Sequence, residues 1–512
     1  MKKLISLLCA AALALSLAGC GTSAASGGET AAASTTYSLE NATVLTFTDS
    51  GVTAQDGSDT GYEIDGMEVT ITGAGTYAVT GTCADGSITV KKGTTGVTLV
   101  LNGLNLTSED TAPIICNKST QVVIIAADGS TNCLADNAQN NDDDHPDNEN
   151  AENAVIKCKD GSQVTLAGTG SLTITANGKN GIKSGASTTE EGDASLTIRQ
   201  LTLTIDAPVN DAINAEQTLT VESGTLTISA AGDAIHSDLV LNIGAEDTVG
   251  PAITITECYE GLEGAELNIY SGDISILSSD DCLNAANSDL SGYDFTMNIS
   301  GGTIVAYSSS GDGFDSNGDL TISGGSVTVW TANTTDNQPL DADGTITISG
   351  DTVLAAGGGN GMGMNLTAAQ PCVTFGSAGG MGGGRPGDMS SGNSGIAKDA
   401  AFTITGSDGS TLYSGTAVCN ASFLLFSSDS LTADETCTLT CGDNTLTADA
   451  QSGTVSSGMD GMGGGPGGMD DFQPGDGQEP PEMPADGERP EMPSGGQRPG
   501  RSGEQKTDSA NS

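Results

Sequence analysis

A five-residue motif recurs along the middle of the chain and restricts its possible folds more than any other feature. Each copy has an acidic or amide residue, a small residue, a large apolar residue, a polar residue and a second small residue, as in Asp211-Ala212-Ile213-Asn214-Ala215. The large residues of seven copies, spaced by 31, 22, 27, 21, 31 and 26 residues, are Ile182, Ile213, Ile235, Leu262, Leu283, Phe314 and Leu340. Between copies lie alternating patterns typical of strands, such as Leu226-Thr227-Ile228-Ser229. Repeats of this length, made only of strands and turns, predict a parallel β-solenoid.

The rest of the chain divides around this repeat. We predict a parallel β-helix over residues 37–356, and we interpret Ile156 and Ile115 as the large residues of two earlier coils. Residues 357–398 are rich in Gly and Met and predict a flexible segment. Strand patterns return in residues 399–452 and predict a small β cap that shields the open end of the solenoid. The Gly, Pro, Met and acidic composition of residues 453–512 predicts a disordered tail.

The N-terminal residues predict an export signal. Lys2 and Lys3 precede an apolar run that ends in Leu17-Ala18-Gly19-Cys20, a sequence that resembles the bacterial lipobox. We therefore expect residues 1–20 to be a lipoprotein signal peptide, with a lipid on Cys20, and residues 21–36 to be a linker. A plain signal peptide with an incidental cysteine is the alternative. With a lipid on Cys20, the protein would lie in the bacterial cell envelope, facing outward, and would contact the membrane only through that anchor.

The charge balance excludes one large class of partners. The chain has 66 Asp and Glu residues against 16 Lys and Arg residues, a formal net charge of −50. Nucleic acids are bound by basic side chains that release counterions, so a surface this acidic would repel them. Any anionic partner must therefore be bound together with a cation.

The stacking of the motifs predicts a cation site. Neighbouring coils of a solenoid lie about 4.8 Å apart, and two carboxylates at that distance repel by roughly 3 to 4 kcal/mol at an effective dielectric constant of 20. Oxygen-rich sites of this kind are typical of calcium, so we predict Ca²⁺ held by Asp211, Asp233, Glu260, Asp281, Asp312, Asn214, Glu216, Glu263, Asp315, Asp341 and Asp343. Two alternatives are protonation of alternate carboxylates and simple capping of tight turns by Asp and Asn.

The chain resembles a known family. The segments that carry the resemblance are Gly73-Ala74-Gly75-Thr76-Tyr77, Leu99-Val100-Leu101-Asn102-Gly103, the repeated Asp-Ala-Ile motifs, and the region from Phe423 to Leu439. They are similar to those of secreted bacterial carbohydrate-binding domain-containing proteins, which are related in fold to right-handed β-helices of the pectate-lyase type. The resemblance implies a right-handed helix that holds calcium and binds cellulose and acidic plant polysaccharides such as pectin.

The distribution of basic and aromatic residues favours binding over catalysis. A polysaccharide lyase needs a basic residue beside calcium, yet the basic residues between Asn153 and Gly350, from Lys157 to Arg199, all precede most of the predicted carboxylate column. His236 occupies a polar motif position, and we interpret it as a solvated turn residue rather than a base. Trp330, Tyr270 and Tyr307 are candidates for stacking on sugar rings, with a role in the core as the alternative. We therefore predict a non-catalytic polysaccharide-binding protein; a surface stalk or adhesin with a non-sugar ligand, and then a calcium-dependent lyase, are the alternatives.

Overall fold

The computed structural model describes six segments of the chain, residues 35–55, 57–189, 192–332, 337–358, 365–376 and 395–456. The predicted signal peptide, the lipidation site at Cys20 and the tail beyond residue 456 lie outside these segments. Within them the regular structure is entirely β, and no helix of a length and apolarity suited to spanning a membrane occurs.

Most strands form three parallel stacks, and from Glu68 to Gly357 the chain visits the stacks in the same order in every coil. Stack 1 contains the motifs and consists of Glu68–Ile71, Ser87–Val90, Ile114–Cys116, Ala154–Cys158, Asn180–Ser184, Ile213–Ala215, the starts of Ile235–Ile243 and Leu262–Ile269, Leu283–Ala285, Phe314–Ser316 and Leu340–Ala342. Stack 2 consists of Thr43–Thr48, the starts of Gly75–Cys83 and Val97–Ser108, Gln121–Ala126, Gln163–Gly168, Ser195–Ile198, Thr218–Val221, the ends of Ile235–Ile243 and Leu262–Ile269, Thr296–Ile299, Asp319–Ile322, Ile346–Ile348 and the start of Asn365–Gly376. Stack 3 consists of the ends of Gly75–Cys83 and Val97–Ser108, then Thr131–Asp136, Ser171–Thr175, Thr202–Ala207, Gly224–Ala230, Pro251–Glu257, Asp273–Ser278, Thr303–Ser308, Ser326–Thr331 and Thr352–Gly357.

The alternating sequence explains why these strands coil around one core. In Thr202–Ala207 the side chains are alternately exposed and buried, because successive residues of a strand point to opposite faces. The large motif residues form one inward column in stack 1: Val69, Ile88, Ile114, Ile156, Ile182, Ile213, Ile235, Leu262, Leu283, Phe314 and Leu340. All of them are at most 1% exposed, and burying each such side chain contributes about 1.5 to 3 kcal/mol. The all-β fold class predicted from the repeat, a parallel β-helix, is confirmed.

Two sequence predictions about this fold were wrong. The large residue of the third coil is Ile114 and not Ile115, because Ile156 aligns with Ile114. Within the segment predicted to be flexible, Asn365–Gly376 is a strand that extends stack 2 and pairs antiparallel with Phe423–Ser428 and Gln451–Ser456. The β structure therefore continues past residue 356 and includes residues beyond 452.

A small second layer covers the last coils. The strand Phe423–Ser428 pairs antiparallel with Thr352–Gly357, the last strand of stack 3. A separate antiparallel sheet has the strand order Thr411–Thr416, Ala401–Thr405, Thr436–Cys441 and Asn444–Asp449. Its apolar face packs in a second core with Trp330, whose ring meets Phe402 edge-on at 6.0 Å between centroids. At the other end of the described chain, Gly51–Gln55 and Tyr62–Asp65 form antiparallel pairs with their neighbours.

The ten cysteines from Cys83 to Cys441 are all free thiols, and only Cys133 is not fully buried. Cys437 and Cys441 lie in one extended strand, a geometry that keeps their Cα atoms too far apart for a disulfide. These cysteines act as small apolar residues of the cores.

Candidate functional site

The first residues of the motifs stand above one another along one edge of stack 1. The backbone N–H of the second residue in each motif donates to the carbonyl of the first residue in the next coil, as from Ala212 to Asp233 (2.9 Å) and from Gly261 to Asp281 (3.0 Å). The resulting first-position column consists of Asn180, Asp211, Asp233, Glu260, Asp281, Asp312 and Gln338. The alignment of acidic residues predicted from the repeat is therefore present.

The aspartates of this column also join neighbouring coils through their side chains. Asp211 Oδ1 accepts the backbone N–H of Asp233 (3.0 Å), and Asp281 Oδ1 accepts that of Asp312 (2.6 Å). Asp312 Oδ1 in turn accepts the backbone N–H of Gln338 (2.5 Å). The capping that was considered as an alternative to metal binding thus operates from one coil to the next. It occupies one carboxylate oxygen of each aspartate and leaves the other oxygen for further contacts.

A second column runs beside the first. It contains the polar residue of each motif, and its side chains change from basic to acidic along the chain in the order Lys157, Lys183, Asn214, His236, Glu263, Asn284, Asp315 and Asp341. We call this series the polar column. From His236 onward, the polar column and the first-position column together form what we call the acidic edge.

Three carboxylates converge near the end of the acidic edge. One oxygen each from Asp312, Asp315 and Asp341 lies within 4.8 Å of the others. Burial, together with neighbouring carboxylates, raises the pKa of Asp312 to about 7 and that of Asp315 to about 6. Burial and nearby aspartates also raise the pKa of Asp281 to about 8. These shifts mean that the folded protein resists full ionisation here unless a cation is close by.

A second cluster surrounds His236 in the seventh coil. His236 is only 2% exposed, so its interpretation as a solvated turn residue was wrong. Its Nδ1 faces Glu263 Oε2 and lies 3.4 Å from Asp233 Oδ2, and its Nε2 lies 2.7 Å from Asp238 Oδ1. Burial lowers the pKa of His236, but hydrogen bonds to the three carboxylates outweigh burial and raise it well above its ordinary value.

The other predicted metal ligands are arranged differently. Asn214 donates to Asp211 Oδ2 (2.8 Å), and Glu216 lies 3.6 Å from the ammonium of Lys183. The predicted ligands Asp211, Asn214 and Glu216 are therefore outside both clusters. Glu260 accepts a hydrogen bond from Asn284 (2.9 Å), and burial with nearby carboxylates raises its pKa to about 9. Asp343 lies close enough to Asp315 and Asp341 to raise their pKa values, though burial is the larger cause.

Asn284 supplies an amide group to the acidic edge, and its motif position had marked it as a further oxygen ligand. Its side chain is 7% exposed and stands in the polar column between Glu263 and Asp315. Its Nδ2 donates to Glu260, whereas its buried Oδ1 has no hydrogen-bond partner among the described residues. A buried oxygen without a donor costs about 1 to 3 kcal/mol, which a bound cation would offset.

The aromatic residues are placed differently from the sequence prediction. Trp330 is 2% exposed and offers no face to a sugar, so its predicted role was wrong. Tyr307 is partly buried against the same core as Trp330, and Tyr270 is partly buried in the turn after Leu262–Ile269. Tyr259, which was not selected, is 49% exposed and directly precedes Glu260 in the acidic edge. Its position beside a motif carboxylate is the signal that could have identified it.

The basic end of the polar column carries two stacked lysines. Lys157 and Lys183 are paired in register on neighbouring strands. Burial and the charge of Lys183 lower the pKa of Lys157. Lys159, in contrast, points to Glu152 and forms a 2.5 Å ion pair with it. The polar column therefore presents ammonium groups in its fourth and fifth coils and carboxylates in its later coils.

A parallel β-helix with charged columns along one edge defines the class of this protein. Within that class, the chain belongs to the family of carbohydrate-binding domain-containing proteins, whose model matches residues 65–361.

Two individual proteins are similar to the chain. A carbohydrate-binding domain-containing protein of Acetivibrio thermocellus is 39% identical over 123 residues, which are 24% of this chain and 42% of that relative. The match thus spans less than half of the relative. A solved structure described as the polysaccharide lyase-like protein from C. thermocellum, in a gadolinium derivative, is 24% identical, and the alignment covers 64% of this chain and 97% of that one with a TM-score of 0.33.

Proposed function

We propose that this protein binds cellulose or an acidic, pectin-like polysaccharide at the outer surface of a bacterial cell, without cleaving it, through calcium held along the acidic edge. Membership of a carbohydrate-binding family supports the class of ligand. The lipobox-like sequence at Cys20 supports a lipid-anchored location in the cell envelope. The acidic edge supports calcium as the cofactor, because an acidic polysaccharide would be repelled by it in the absence of a cation.

The single observation that carries the proposal is the unpartnered Asn284 Oδ1, one coil before the converging carboxylates of Asp312 and Asp315. Calcium prefers six to eight oxygen ligands from carboxylates, amide carbonyls and the ligand or water. Asp312, Asp315 and Asp341 supply carboxylate oxygens within 4.8 Å of one another, and Asn284 precedes Asp315 in the same column with a buried amide oxygen that lacks a donor. The residues present therefore fit a calcium ion.

The two ends of the polar column would engage an acidic glycan in different ways. Bound calcium supplies a positive centre whose remaining coordination positions can accept uronate carboxylates and hydroxyls. Lys157 and Lys183 can bind a uronate carboxylate directly, since two ammonium groups on neighbouring coils favour an anion between them. A neutral glycan such as cellulose would rely more on the exposed ring of Tyr259.

Calorimetric titration with polygalacturonate, with calcium and then with EDTA, tests the proposal. We expect EDTA to abolish or strongly weaken binding, and the pair of substitutions Asp312→Asn and Asp315→Asn to have the same effect in calcium. Asp273→Asn is the matched control, because Asp273 is an exposed carboxylate on stack 3. Unchanged binding in EDTA would refute the role of calcium, and an absence of binding to any cellulose or pectin in calcium would refute the proposed ligands.

A uronate lyase is the second candidate function, and one observation favours it. Lys157 has a lowered pKa, because of burial and the neighbouring Lys183, which suits a proton-abstracting base. However, Asp315 lies six coils further along the same column, or roughly 29 Å at 4.8 Å per coil. A base at Lys157 and calcium at Asp315 would thus act on different sugar residues. Absorbance of unsaturated uronate products that disappears in Lys157→Ala would establish the lyase.

A further inference from the structure

The acidic edge contains two clusters with different donor chemistry. The cluster of Asp312, Asp315 and Asp341 offers only oxygen, whereas the cluster of Asp233, His236 and Glu263 includes an imidazole nitrogen. Calcium is a hard cation that takes oxygen ligands. Imidazole with carboxylates suits zinc and related divalent transition metals. The acidic edge therefore contains two clusters whose donor atoms favour different metal ions.

The surroundings of His236 fix the orientation of its ring. Asp238 is not a member of the cluster, and its Oδ1 lies 2.7 Å from Nε2 on the opposite side of the imidazole. When a metal ion replaces the proton on Nδ1, a carboxylate at that position keeps the other proton on Nε2 and leaves the Nδ1 lone pair for the ion. Metal-binding histidines commonly donate their second ring N–H to a carboxylate in this way. The ring is 2% exposed, so it is held in this orientation.

The spacing between His236 Nδ1 and Asp233 Oδ2 also fits a shared metal ion. Two ligands bound at about 2.0 to 2.1 Å to a tetrahedral zinc ion are about 3.3 Å apart. His236 Nδ1 and Asp233 Oδ2 are 3.4 Å apart, which is long for a hydrogen bond and close to that value. Glu263 comes from the next coil, and its Oε2 lies closer to the same nitrogen than two ligands of one zinc ion would, so metal binding requires these two atoms to move apart. The three side chains thus approach Nδ1 from two neighbouring coils.

We propose that Asp233, His236 and Glu263 bind one divalent transition metal ion of the zinc class, and that this ion differs from the calcium of the later coils. The ion would join the seventh and eighth coils, and three protein ligands would leave one tetrahedral position for water or a ligand oxygen. The competing explanation is an imidazolium ion that bridges the carboxylates by hydrogen bonds alone. The two explanations differ in whether metal binds.

Zinc calorimetry on the metal-stripped mature chain, in about 1 mM calcium to saturate weak calcium sites, separates them. We expect one zinc ion per chain. Asp238→Asn weakens zinc binding by about 10- to 100-fold because it removes the partner of Nε2, and His236→Gln weakens it further. His145→Gln is the matched control, because His145 is the only other histidine and belongs to neither cluster. Equal zinc affinity in His236→Gln and in the unmodified chain, or no zinc binding at all, overturns the proposal.

A measurement on the unmodified chain keeps the proposal testable if a variant fails to fold. Cadmium-113 NMR distinguishes nitrogen and oxygen ligands from the thiolates of the ten cysteines. We expect a resonance in the nitrogen and oxygen range, and a resonance in the sulfur range would overturn the assignment. EDTA-sensitive polygalacturonate binding should persist in His236→Gln, so failure of the zinc site and failure of the proposed function give different results.

Discussion

Removing the charge of Asp281 should raise stability at high pH without calcium and reduce the stability that calcium adds. Asp281 lies in the first-position column, and burial and nearby aspartates raise its pKa to about 8 from an ordinary value of 3.8. In the folded protein without a cation, Asp281 therefore holds a proton that the unfolded chain has already released at neutral pH. The substitution Asp281→Asn keeps the shape of the side chain and removes this titration.

The sign follows from proton linkage. Between pH 4 and pH 8, the folded state binds more protons at Asp281 than the unfolded state does, so the free energy of unfolding falls as pH rises through this range. Each pKa unit corresponds to about 1.4 kcal/mol. A rise of about four units at Asp281 thus sets an upper bound of about 6 kcal/mol on the loss, reached above pH 8.

Urea unfolding followed by circular dichroism from pH 5 to pH 9 measures this effect. In EDTA, we expect the unmodified chain to become less stable as pH rises and Asp281→Asn to show a flatter profile with higher stability at pH 8. In calcium, we expect the unmodified chain to regain stability at high pH and the variant to gain less. Asp273→Asn should follow the unmodified chain in both conditions. A flat profile of the unmodified chain in EDTA, or a variant less stable than it at pH 8 in EDTA, would refute the reasoning.

Three further predictions concern residues outside the titrating cluster. Tyr259→Ala should weaken cellulose binding without changing the unfolding midpoint, because the ring is 49% exposed; unchanged affinity in a pull-down series would exclude it as a stacking platform. Trp330→Ala should lower the free energy of unfolding by about 3 to 5 kcal/mol, because the ring fills the core between the solenoid and the second sheet. Glycan affinity, measured at a temperature where the variant is folded, should stay the same, and a loss of affinity there would give Trp330 a direct role in binding. Thiol titration should show ten reactive cysteines between Cys83 and Cys441 only after denaturation, apart from the partly buried Cys133, and fewer than ten after denaturation would reveal a disulfide.

The register of neighbouring coils could be predicted from the repeat, because the alternation of apolar residues within strands and the spacing of the motifs place the same residues in the core. The column from Ile182 to Leu340 could be aligned by eye, since each motif has one large residue. The predicted register was wrong by one residue at the adjacent Ile114 and Ile115, because both side chains are buried. A one-residue shift reverses which face a strand residue occupies. Pairs of adjacent large apolar residues are therefore where periodicity predicts the register least well.

The remaining errors came from contacts that no local pattern shows. The strand Asn365–Gly376 contains Pro371, and its pairing with Gln451–Ser456 shifts register between Ala368 and Cys372. The sequence did not predict this strand, because proline and glycine-rich neighbouring sequence are not typical of strands. Trp330 follows the inward-facing Val329, so it points away from the solenoid core, and only the second sheet buries it. His236 is buried by partners that include Glu263 from the next coil. The sequence of a single motif does not show that residues from another coil or sheet will bury one of its side chains.

The constant spacing of the coils gives the polar column a direction and a length. The eleven large residues from Val69 to Leu340 place the carboxylate clusters in the seventh to eleventh coils, roughly 30 to 50 Å beyond the first coil at 4.8 Å per coil. A chain tethered to a bilayer by the end that precedes the first coil would project its carboxylate clusters outward, past the basic coils. Sequence insertions between coils could then vary in length without altering the reach of the molecule.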